Sequence, residues 1–194
     1  MPSFHQESPI DELVASYIHH PKHLPSVISN FAHRQALVKQ WSPEKGSQLL
    51  DIGCGQGESS LVLAQTVGPS GHVLGIDTAC PDYGGPFTVS QSQKYIQESA
   101  LGTQIKFQQI DAATLLLQKR GVEPQRCFDA AVLCHSLWYF TNTEHISALF
   151  RTLAAAKIPK LYLAEYSFQA SIPAQIPHVL AAQAQKRLAD LQRP

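Results

Sequence analysis

The sequence lacks an excess of either charge. Fifteen Lys and Arg residues balance fifteen Asp and Glu residues among 194, so the formal net charge is zero. The basic residues are scattered, and no basic run is longer than the Lys119–Arg120 pair. A neutral chain without a basic cluster has no bulk attraction to nucleic acid or to an anionic membrane. The sequence therefore predicts that neither is a partner.

Long apolar runs and paired cysteines are absent as well. No apolar run approaches the roughly 20 residues that cross a bilayer, and the start MPSFHQESPIDEL lacks the basic and apolar parts of a secretory signal. The four cysteines form neither a CxxC pair nor a zinc-binding spacing: Cys54, Cys80, Cys127 and Cys134. These absences predict a cytoplasmic protein with reduced thiols and without a bound metal.

Apolar residues make up 44% of the chain, which is enough for one sizeable core. Helical spacing and breaker residues predict helices over 10–20, 25–41, 90–101 and 143–156, one beginning near Gly57, and one in the tail from about Pro173. Short buried strands are predicted in 47–52, 72–77, 103–110, 127–140 and 157–168. Strands that alternate with helices predict an α/β fold with a doubly wound parallel sheet.

The most informative stretch is LLDIGCGQGES, from Leu49 to Ser59. An apolar strand ends in Asp51, and glycines then alternate at positions 53, 55 and 57. Glycine lets a backbone turn tightly and lets a ligand approach it closely. In a doubly wound sheet the carboxyl end of the first strand is where ligands bind. The stretch therefore predicts a cofactor site, against the alternative of a plain tight turn.

Two cofactor classes bind at such a turn. A dinucleotide places its pyrophosphate at the helix N-terminus, but Asp51 and Glu58 flank the turn and would repel it. Glu58 also occupies the position where GxGxxG requires Gly or Ala. A nicotinamide oxidoreductase is therefore the less favoured alternative. S-adenosyl-L-methionine carries a sulfonium and an ammonium, and Asp51 can attract that positive end.

Two further acids follow successive strands. Asp77 ends the second predicted strand, where a carboxylate can accept both hydroxyls of a ribose. Asp111 follows the third, where it can accept from the adenine amine. Each has a structural alternative: Asp77 can cap a helix, and Asp111 can cap the short helix that starts at ATLLLQ.

The segments LLDIGCGQGESS, GIDTA, FQQIDAATL and FDAAVLCHSLWYF together resemble, in order and spacing, the cofactor motifs of class I S-adenosylmethionine-dependent methyltransferases. The resemblance covers about residues 45–167, and PDYGGPFTVSQ and CHSLWYF look like a small-molecule branch frequent in fungal secondary metabolism. It implies methyl transfer from S-adenosyl-L-methionine to a small-molecule acceptor. The alternative is a catalytically inactive cofactor-binding remnant or partner subunit.

The resemblance also implies roles for individual residues. It places the glycine turn around the methionine moiety and the end of the second strand beside the ribose. The residues concerned are Asp51, Gly53, Cys54, Gly55, Gly57, Asp77 and Thr78. Asp111 and Ala112 would border the adenine. Cys134 and His135 would face the sulfonium and the substrate, with His135 as a candidate general base. A structural histidine is the alternative.

The acceptor side is less defined. At least one of Trp138, Tyr139 and Phe140 is expected to stack on adenine or to shape the acceptor pocket; the alternative is that they pack under the next helix. Residues 1–44 are predicted to form a helical lid before a cofactor-binding domain at 45–194, and the resemblance implies that Tyr17, His19 or His20 touches the acceptor. The histidine spacing in YIHHPKH matches a metal site only superficially. No Asn/Asp-Pro-Pro-aromatic turn follows the fourth strand, which argues against nucleic-acid bases as acceptors.

The resembled fold has two further strands after the fifth, and the sequence shows no pattern for them. The chain is therefore expected to form a Rossmann-like sheet that lacks its last two strands. The fifth strand would then be a sheet edge that needs covering, and a homodimer is one way to cover it.

Overall fold

The computed structural model describes residues 8–118 and 128–191. Its sheet has five parallel strands in the order β3-β2-β1-β4-β5. The strands are Gln48–Ile52 (β1), His72–Asp77 (β2), Ile105–Gln109 (β3), Ala130–Cys134 (β4) and Leu161–Ala164 (β5). This arrangement confirms the predicted doubly wound α/β fold. Among the described residues no strand follows β5 along the chain, as the sequence predicts.

Helices alternate with these strands. They are Pro9–Ala15 (α1), Leu24–Trp41 (α2), Glu58–Val67 (α3), Val89–Gln97 (α4), Ala112–Gln118 (α5), Thr143–Ala155 (α6) and Ile176–Leu191 (α7). Side-chain caps fix several of the starts: Ser8 and Thr88 form capping boxes, and Asn142 accepts from the backbone of His145.

Two helices are shorter than predicted. The helix expected over 10–20 ends at Ala15, where Ser16 is the C-cap and its N–H donates to the carbonyl of Glu12; the chain then enters a 3-10 turn at Pro21–His23. The helix expected over 90–101 ends at Gln97. There Ser99 Oγ donates to the carbonyl of Ile96 and satisfies one of the orphan acceptors of the last turn.

Two apolar cores lie on the two faces of the sheet. β4 is buried along its whole length, so its side chains alternate between the cores. Ala130, Val132 and Cys134 join the core formed with α1, α2 and α3. Ala131 and Leu133 join the core formed with α5 and α6. This packing places α1, α2 and α3 on one face and α5 and α6 on the other.

The chain divides into two compact units, one up to Ala164 and one from Glu165 onward. The second unit contains a 3-10 turn at Pro173–Gln175 and α7. A helical lid over 1–44 with a separate domain at 45–194 stays a prediction. No described helix is both long and apolar enough to cross a membrane. Lys119–Arg120 and Cys127 lie outside the described residues.

The fifth strand lies at one edge of the sheet, next to β4 only. Leu161 and Leu163 on this strand keep 42% and 41% of their surface exposed. An apolar edge of this kind needs a cover in a stable protein. The predicted homodimer over this edge stays a prediction.

Candidate functional site

The order of the strands reverses between β1 and β4. β1 leads to β2 and β3 on one side, while β4 and β5 lie on the other. In open α/β sheets, ligands bind outside the carboxyl ends of the strands at such a switch point. The glycine turn follows β1 there, Cys134 and His135 end β4, and Asp77 ends the neighbouring β2. The topology therefore brings these predicted site residues to one edge of the sheet.

The glycine turn is anchored to β2 through the backbone. The N–H groups of Gly53 and Cys54 both donate to the carbonyl of Ile76, at 2.8 and 3.1 Å. Gly57 then donates to the carbonyl of Cys54 at 2.9 Å and begins α3 as its N-cap. All three glycines have positive φ angles of 72°, 52° and 93°. Only glycine adopts such angles without strain, so the turn requires this spacing.

The three glycines differ in what surrounds them. A Cβ at Gly53 would lie 2.6 Å from Ser136 Cβ, and one at Gly57 would lie 2.6 Å from Ile96 Cδ1. A Cβ at Gly55 would meet no atom within 4 Å. Gly53 and Gly57 therefore allow close packing inside the protein. Gly55 alone presents bare backbone to open space, where a ligand can approach.

Asp77 holds the apex of the turn. Its Oδ2 accepts from the Gly55 N–H at 2.7 Å, and its Oδ1 accepts from the Ala79 N–H at 2.8 Å. No helix begins at Asp77, so the helix-capping alternative does not apply; the next helix, α4, is capped by Thr88. Each carboxylate oxygen retains capacity for a second hydrogen bond. A half-buried carboxylate of this kind can accept the paired hydroxyls of a ribose. Thr78, next along the chain, is exposed.

Asp51 lies beneath the turn rather than beside it. It is 1% exposed, and its Oδ2 accepts from both Ser59 Oγ and Ser60 Oγ at 2.7 Å. Burial raises the pKa of Asp51, although these hydroxyls and Arg34 oppose the shift. Its buried Oδ1 has no hydrogen-bond partner among the described residues. That oxygen is an unused hydrogen-bond acceptor.

The negative field at the glycine turn is weaker than the sequence predicts. The sequence places Asp51 and Glu58 as two charges flanking the turn. In the structure Asp51 is buried with a raised pKa, and Glu58 pairs with Arg34 of α2. Burial and pairing reduce the negative field at the turn, so repulsion of a pyrophosphate is weaker than the sequence suggests. The chain's departure from GxGxxG at Glu58 remains.

A side chain of α4 and a side chain from the segment after α1 support the turn. Gln93 Nε2 of α4 donates to the Gly55 carbonyl at 2.8 Å. Tyr17 is 7% exposed, and its hydroxyl donates to Gln56 Oε1 at 3.0 Å. Burial raises the pKa of Tyr17, so its hydroxyl stays protonated and donates. Cys54 is buried, and burial raises the pKa of its thiol well above the usual range, with the nearby Asp51 and Asp77 carboxylates adding to the shift.

The third predicted acid has a structural task. Asp111 accepts from the backbone N–H of Thr114 at 2.9 Å and from its hydroxyl at 2.6 Å. These bonds lower the pKa of Asp111 and cap α5, which is the alternative weighed from the sequence. Ala112 is buried at the start of that helix. A contact with adenine stays a prediction for both residues.

His135 has an unusual backbone. Its φ angle of 57° is left-handed, and its N–H donates to the carbonyl of Ala164 at 2.9 Å. Strained angles of this kind in residues other than glycine are concentrated at functional sites. Cys134, just before it, is buried. Trp138 and Tyr139 form a 3-10 turn after it, with 44% and 74% of their surface exposed.

Comparisons with known proteins agree with this architecture. The family described as "Methyltransferase domain" matches residues 43–181. The chain belongs to this family. "Methyltransferase phomM" from Diaporthe leptostromiformis is 39% identical over 199 residues, covering 83% of this chain and 51% of that protein. The chain thus spans about half the length of the curated relatives that it matches first.

A solved structure is similar over most of the chain. The crystal structure of a cyclopropane-fatty-acyl-phospholipid synthase-like protein from Lactobacillus casei ATCC 334 superposes with a TM-score of 0.80 at 35% identity. It covers 91% of this chain and 64% of that one. A demethylmenaquinone methyltransferase from Anoxybacillus flavithermus is 39% identical over 61 residues, which is 30% of this chain. The methyltransferase family and the Rossmann-like fold are therefore shown.

The residues at the glycine turn fit S-adenosyl-L-methionine. The open backbone at Gly55 leaves room for it, and the Asp77 carboxylate lies next to that opening. The buried, unpartnered Asp51 Oδ1 can accept a hydrogen bond from a donor such as the ammonium group of the ligand. These three features come from the glycine turn and the two strands that flank it.

The sequence analysis missed the contribution of α2. Asn30, His33 and Arg34 lie on one face of this helix, at i, i+3 and i+4. Arg34 pairs with Glu58 at the start of α3, and Asn30 Nδ2 also approaches Glu58, at 3.4 Å. His33 contacts His135. The spacing of these three polar residues was the available signal, but the helix carries several other polar residues as well.

The predicted acceptor residues near the N-terminus are only partly brought together. Tyr17 reaches the glycine turn through Gln56. His19 donates from Nδ1 to the Tyr17 carbonyl at 2.8 Å, and His20 Nδ1 accepts from the Lys22 N–H at 3.2 Å. These two bonds are local and organise the turn before α2. Their contact with an acceptor stays a prediction. Among residues 8–118 and 128–191, no group of three or more His, Cys, Asp or Glu side chains is placed to hold a metal.

Proposed function

We propose that this chain binds S-adenosyl-L-methionine at the glycine turn and transfers its methyl group to a small-molecule acceptor. The observation that carries the proposal is the pairing of open backbone at Gly55 with the Asp77 carboxylate, which lie 2.7 Å apart from N to Oδ2. Membership of the methyltransferase family supports the same cofactor.

When bound, S-adenosyl-L-methionine supplies an activated methyl group on a sulfonium. The protein's task is to hold that group in line with the attacking atom, because positioning supplies most of the rate in such a displacement. Asp77 would hold the ribose, the turn would cradle the methionine end, and the unpartnered Oδ1 of Asp51 would accept a hydrogen bond from the ammonium group. The residues that end β4 would face the acceptor.

The acceptor is proposed to be a small metabolite. The chain carries no net charge, which gives no bulk attraction to nucleic acid. The resemblance to a small-molecule branch frequent in fungal secondary metabolism supports the same class, and the match to methyltransferase phomM is consistent with it. The cytoplasmic location predicted from the cysteine spacing stays a prediction.

The test is a transfer assay with methyl-labelled S-adenosyl-L-methionine and a metabolite extract. The expected result is a labelled small molecule that forms with the wild-type chain and forms much more slowly with Asp77→Ala. Cofactor binding without transfer to any acceptor would instead favour an inactive cofactor-binding subunit. A folded protein that binds neither the cofactor nor its demethylated product would refute the proposal.

A further inference from the structure

His33 and His135 meet through their ring nitrogens. Nε2 of His33, on α2, lies 3.0 Å from Nε2 of His135, which follows β4. The ring planes are inclined by 20° and the ring centroids lie 5.2 Å apart. This centroid separation is close to the largest that a 3.0 Å contact between ring nitrogens allows. The rings therefore meet end to end and nearly in one plane, so that the N–H of one can point along the lone pair of the other.

This geometry fixes the protonation of the pair. Because the two facing atoms are both Nε2, one must carry the proton and the other must accept it. The two histidines are therefore in opposite tautomers. A proton taken up elsewhere on the pair converts this contact into a stronger, charge-assisted hydrogen bond. A second proton would make both rings cations and would point their two Nε2–H groups at each other. The pair is thus built to take up one proton.

The nitrogen that is open to a methyl acceptor belongs to His33. His135 Nδ1 is buried, and its Nε2 is occupied by His33. His33 is exposed, and within residues 8–118 and 128–191 no hydrogen bond engages its Nδ1. Sequence analysis names His135 as the candidate base, but the structure leaves it no open nitrogen. The accessible acceptor atom of the pair is His33 Nδ1.

The pair lies beside the proposed cofactor site. His135 ends β4 at the switch point, and β4 pairs directly with β1, which leads into the glycine turn. Asn30 and Arg34, on the same face of α2 as His33, contact Glu58 immediately after Gly57. α2 therefore carries His33 over the carboxyl ends of the strands, within the part of the fold where the acceptor would enter.

We propose that His33 and His135 form one proton-accepting pair for the methyl acceptor. This inference rests on the proposed function. His33 is the catalytic residue and takes the proton at Nδ1. His135 is a positioning residue, because its Nε2 lone pair accepts from His33 Nε2–H and so keeps the lone pair of His33 on Nδ1.

The bond between the acceptor atom, X, and its hydrogen breaks, and the electron pair of this bond becomes the new bond from X to the methyl carbon. The electron pair of the broken carbon–sulfur bond stays on sulfur, which loses its positive charge. The proton moves to His33 Nδ1, where the resulting imidazolium is stabilised by its bond to His135. The proton on His33 Nδ1 is released to water when the product leaves.

Other charged groups around the pair are already engaged. Glu58 pairs with Arg34, and the buried Asp51 accepts from two serines. The charged and titratable side chains on the elements packed around the pair are Arg34 and Lys39 on α2, Glu58 on α3, Asp51 on β1, Cys134 on β4 and Tyr162 on β5. Histidine is the side chain that changes charge near neutral pH, so the pair is expected to set the pH dependence of turnover there.

The direct test is nitrogen-15 NMR of the histidine side chains in the free protein, with assignments from His33→Gln and His135→Gln. The expected result is an Nε2–H tautomer for His33 and an Nδ1–H tautomer for His135, with the two rings titrating in two separated steps. His135→Gln should change both the titration and the tautomer of His33. His72→Gln, at the amino end of β2, should change neither. Independent titration of the two rings would overturn the proposal.

A kinetic arm tests the catalytic role. His33→Gln should slow methyl transfer by about 10²–10⁴-fold and remove the rise of turnover with pH, while calorimetric affinity for S-adenosylhomocysteine stays unchanged. His135→Gln should lower turnover less and shift the pH profile. An unchanged pH–rate profile in His33→Gln would overturn the role of His33. Failure of wild-type protein to bind S-adenosylhomocysteine would instead refute the proposed function, and the NMR result would still decide the pair.

Discussion

Asp77 Oδ2 accepts a 2.7 Å hydrogen bond from the backbone N–H of Gly55, so the end of β2 holds the apex of the turn that follows β1. Gly55 is also the one glycine of the turn at which a Cβ would meet no other atom within 4 Å. The same carboxylate therefore organises the turn and borders the space in front of it. This double role makes Asp77 the most informative position to change.

Asp77→Ala is expected to weaken S-adenosylhomocysteine binding by about 1–3 kcal/mol, or roughly 5- to 150-fold, because a hydrogen-bond partner of the ribose is lost. Asp77→Asn keeps one acceptor oxygen and should show a smaller loss. Calorimetry with both variants gives the affinities, and thermal unfolding shows whether the turn itself has weakened. Wild-type affinity in Asp77→Ala would contradict the assignment of this carboxylate.

Gly55→Ala and Gly57→Ala should separate ligand binding from packing. Both place a side chain at a positive φ, which costs about 1–2 kcal/mol. Gly57→Ala also collides with Ile96 and Phe107, so it should lower the free energy of unfolding further. Gly55→Ala meets no protein atom and should lose cofactor affinity instead. Urea unfolding and calorimetry on both variants test this, and equal affinity for Gly55→Ala and wild type would exclude a ligand at Gly55.

Asp51 should make stability depend on pH in an unusual direction. Burial raises the pKa of Asp51, so the folded state keeps its proton where the unfolded carboxyl, with a pKa of about 3.9, has released it. Folded protein then binds more protons than unfolded protein, and stability falls as pH rises through that range. Relative to Asp51→Asn, the wild type should therefore lose stability between about pH 4 and about pH 7. Urea unfolding at both pH values measures this. If the free energy of unfolding of the wild type rises relative to that of Asp51→Asn as the pH is raised, the raised pKa is contradicted.

Asp111 should show the opposite sign. Hydrogen bonds from Thr114 lower the pKa of Asp111, so its stabilisation is present above the pKa of the unfolded carboxyl and is lost as pH falls through the folded value. Asp111→Ala should cost about 0.5–2 kcal/mol through loss of the cap, while Asp111→Asn still caps α5. The same unfolding series measures both variants.

An adenine contact at Asp111 is separable from the cap. If the carboxylate accepts from adenine, Asp111→Ala should weaken S-adenosylhomocysteine binding. Thr114→Val removes the hydroxyl bound to Asp111 Oδ2 and leaves the carboxylate in place, so it serves as the matched control. Equal affinities for Asp111→Ala and wild type would reduce Asp111 to a helix cap.

The fold was predictable because its signals are local. The glycine spacing after β1, the buried run of β4 and the alternation of helices with strands each occupy a few neighbouring residues. These signals fixed the type and order of the elements. The helix ends were less predictable, since α1 ends at Ala15, well before Pro21, and α4 ends at Gln97, where Ser99 Oγ satisfies a carbonyl of the last turn.

The site was predictable only where residues are close in sequence. Asp77 and the glycines follow from their places at strand ends. Arg34 pairs with Glu58 and His33 with His135 across long stretches of chain, and no local pattern encodes such contacts. Ser59 and Ser60, close to Asp51 in sequence, hinted at the burial of Asp51. Both serines lie in α3, and tertiary packing decides which side of that helix faces Asp51.

The central claim is that the glycine turn binds S-adenosylmethionine rather than a nicotinamide dinucleotide. The most direct measurement is calorimetric titration of the folded protein with S-adenosylhomocysteine and, separately, with NADH. The account predicts micromolar binding of S-adenosylhomocysteine that Asp77→Ala weakens, and no binding of NADH. A folded protein that binds NADH at this turn, or that binds neither compound, would contradict it.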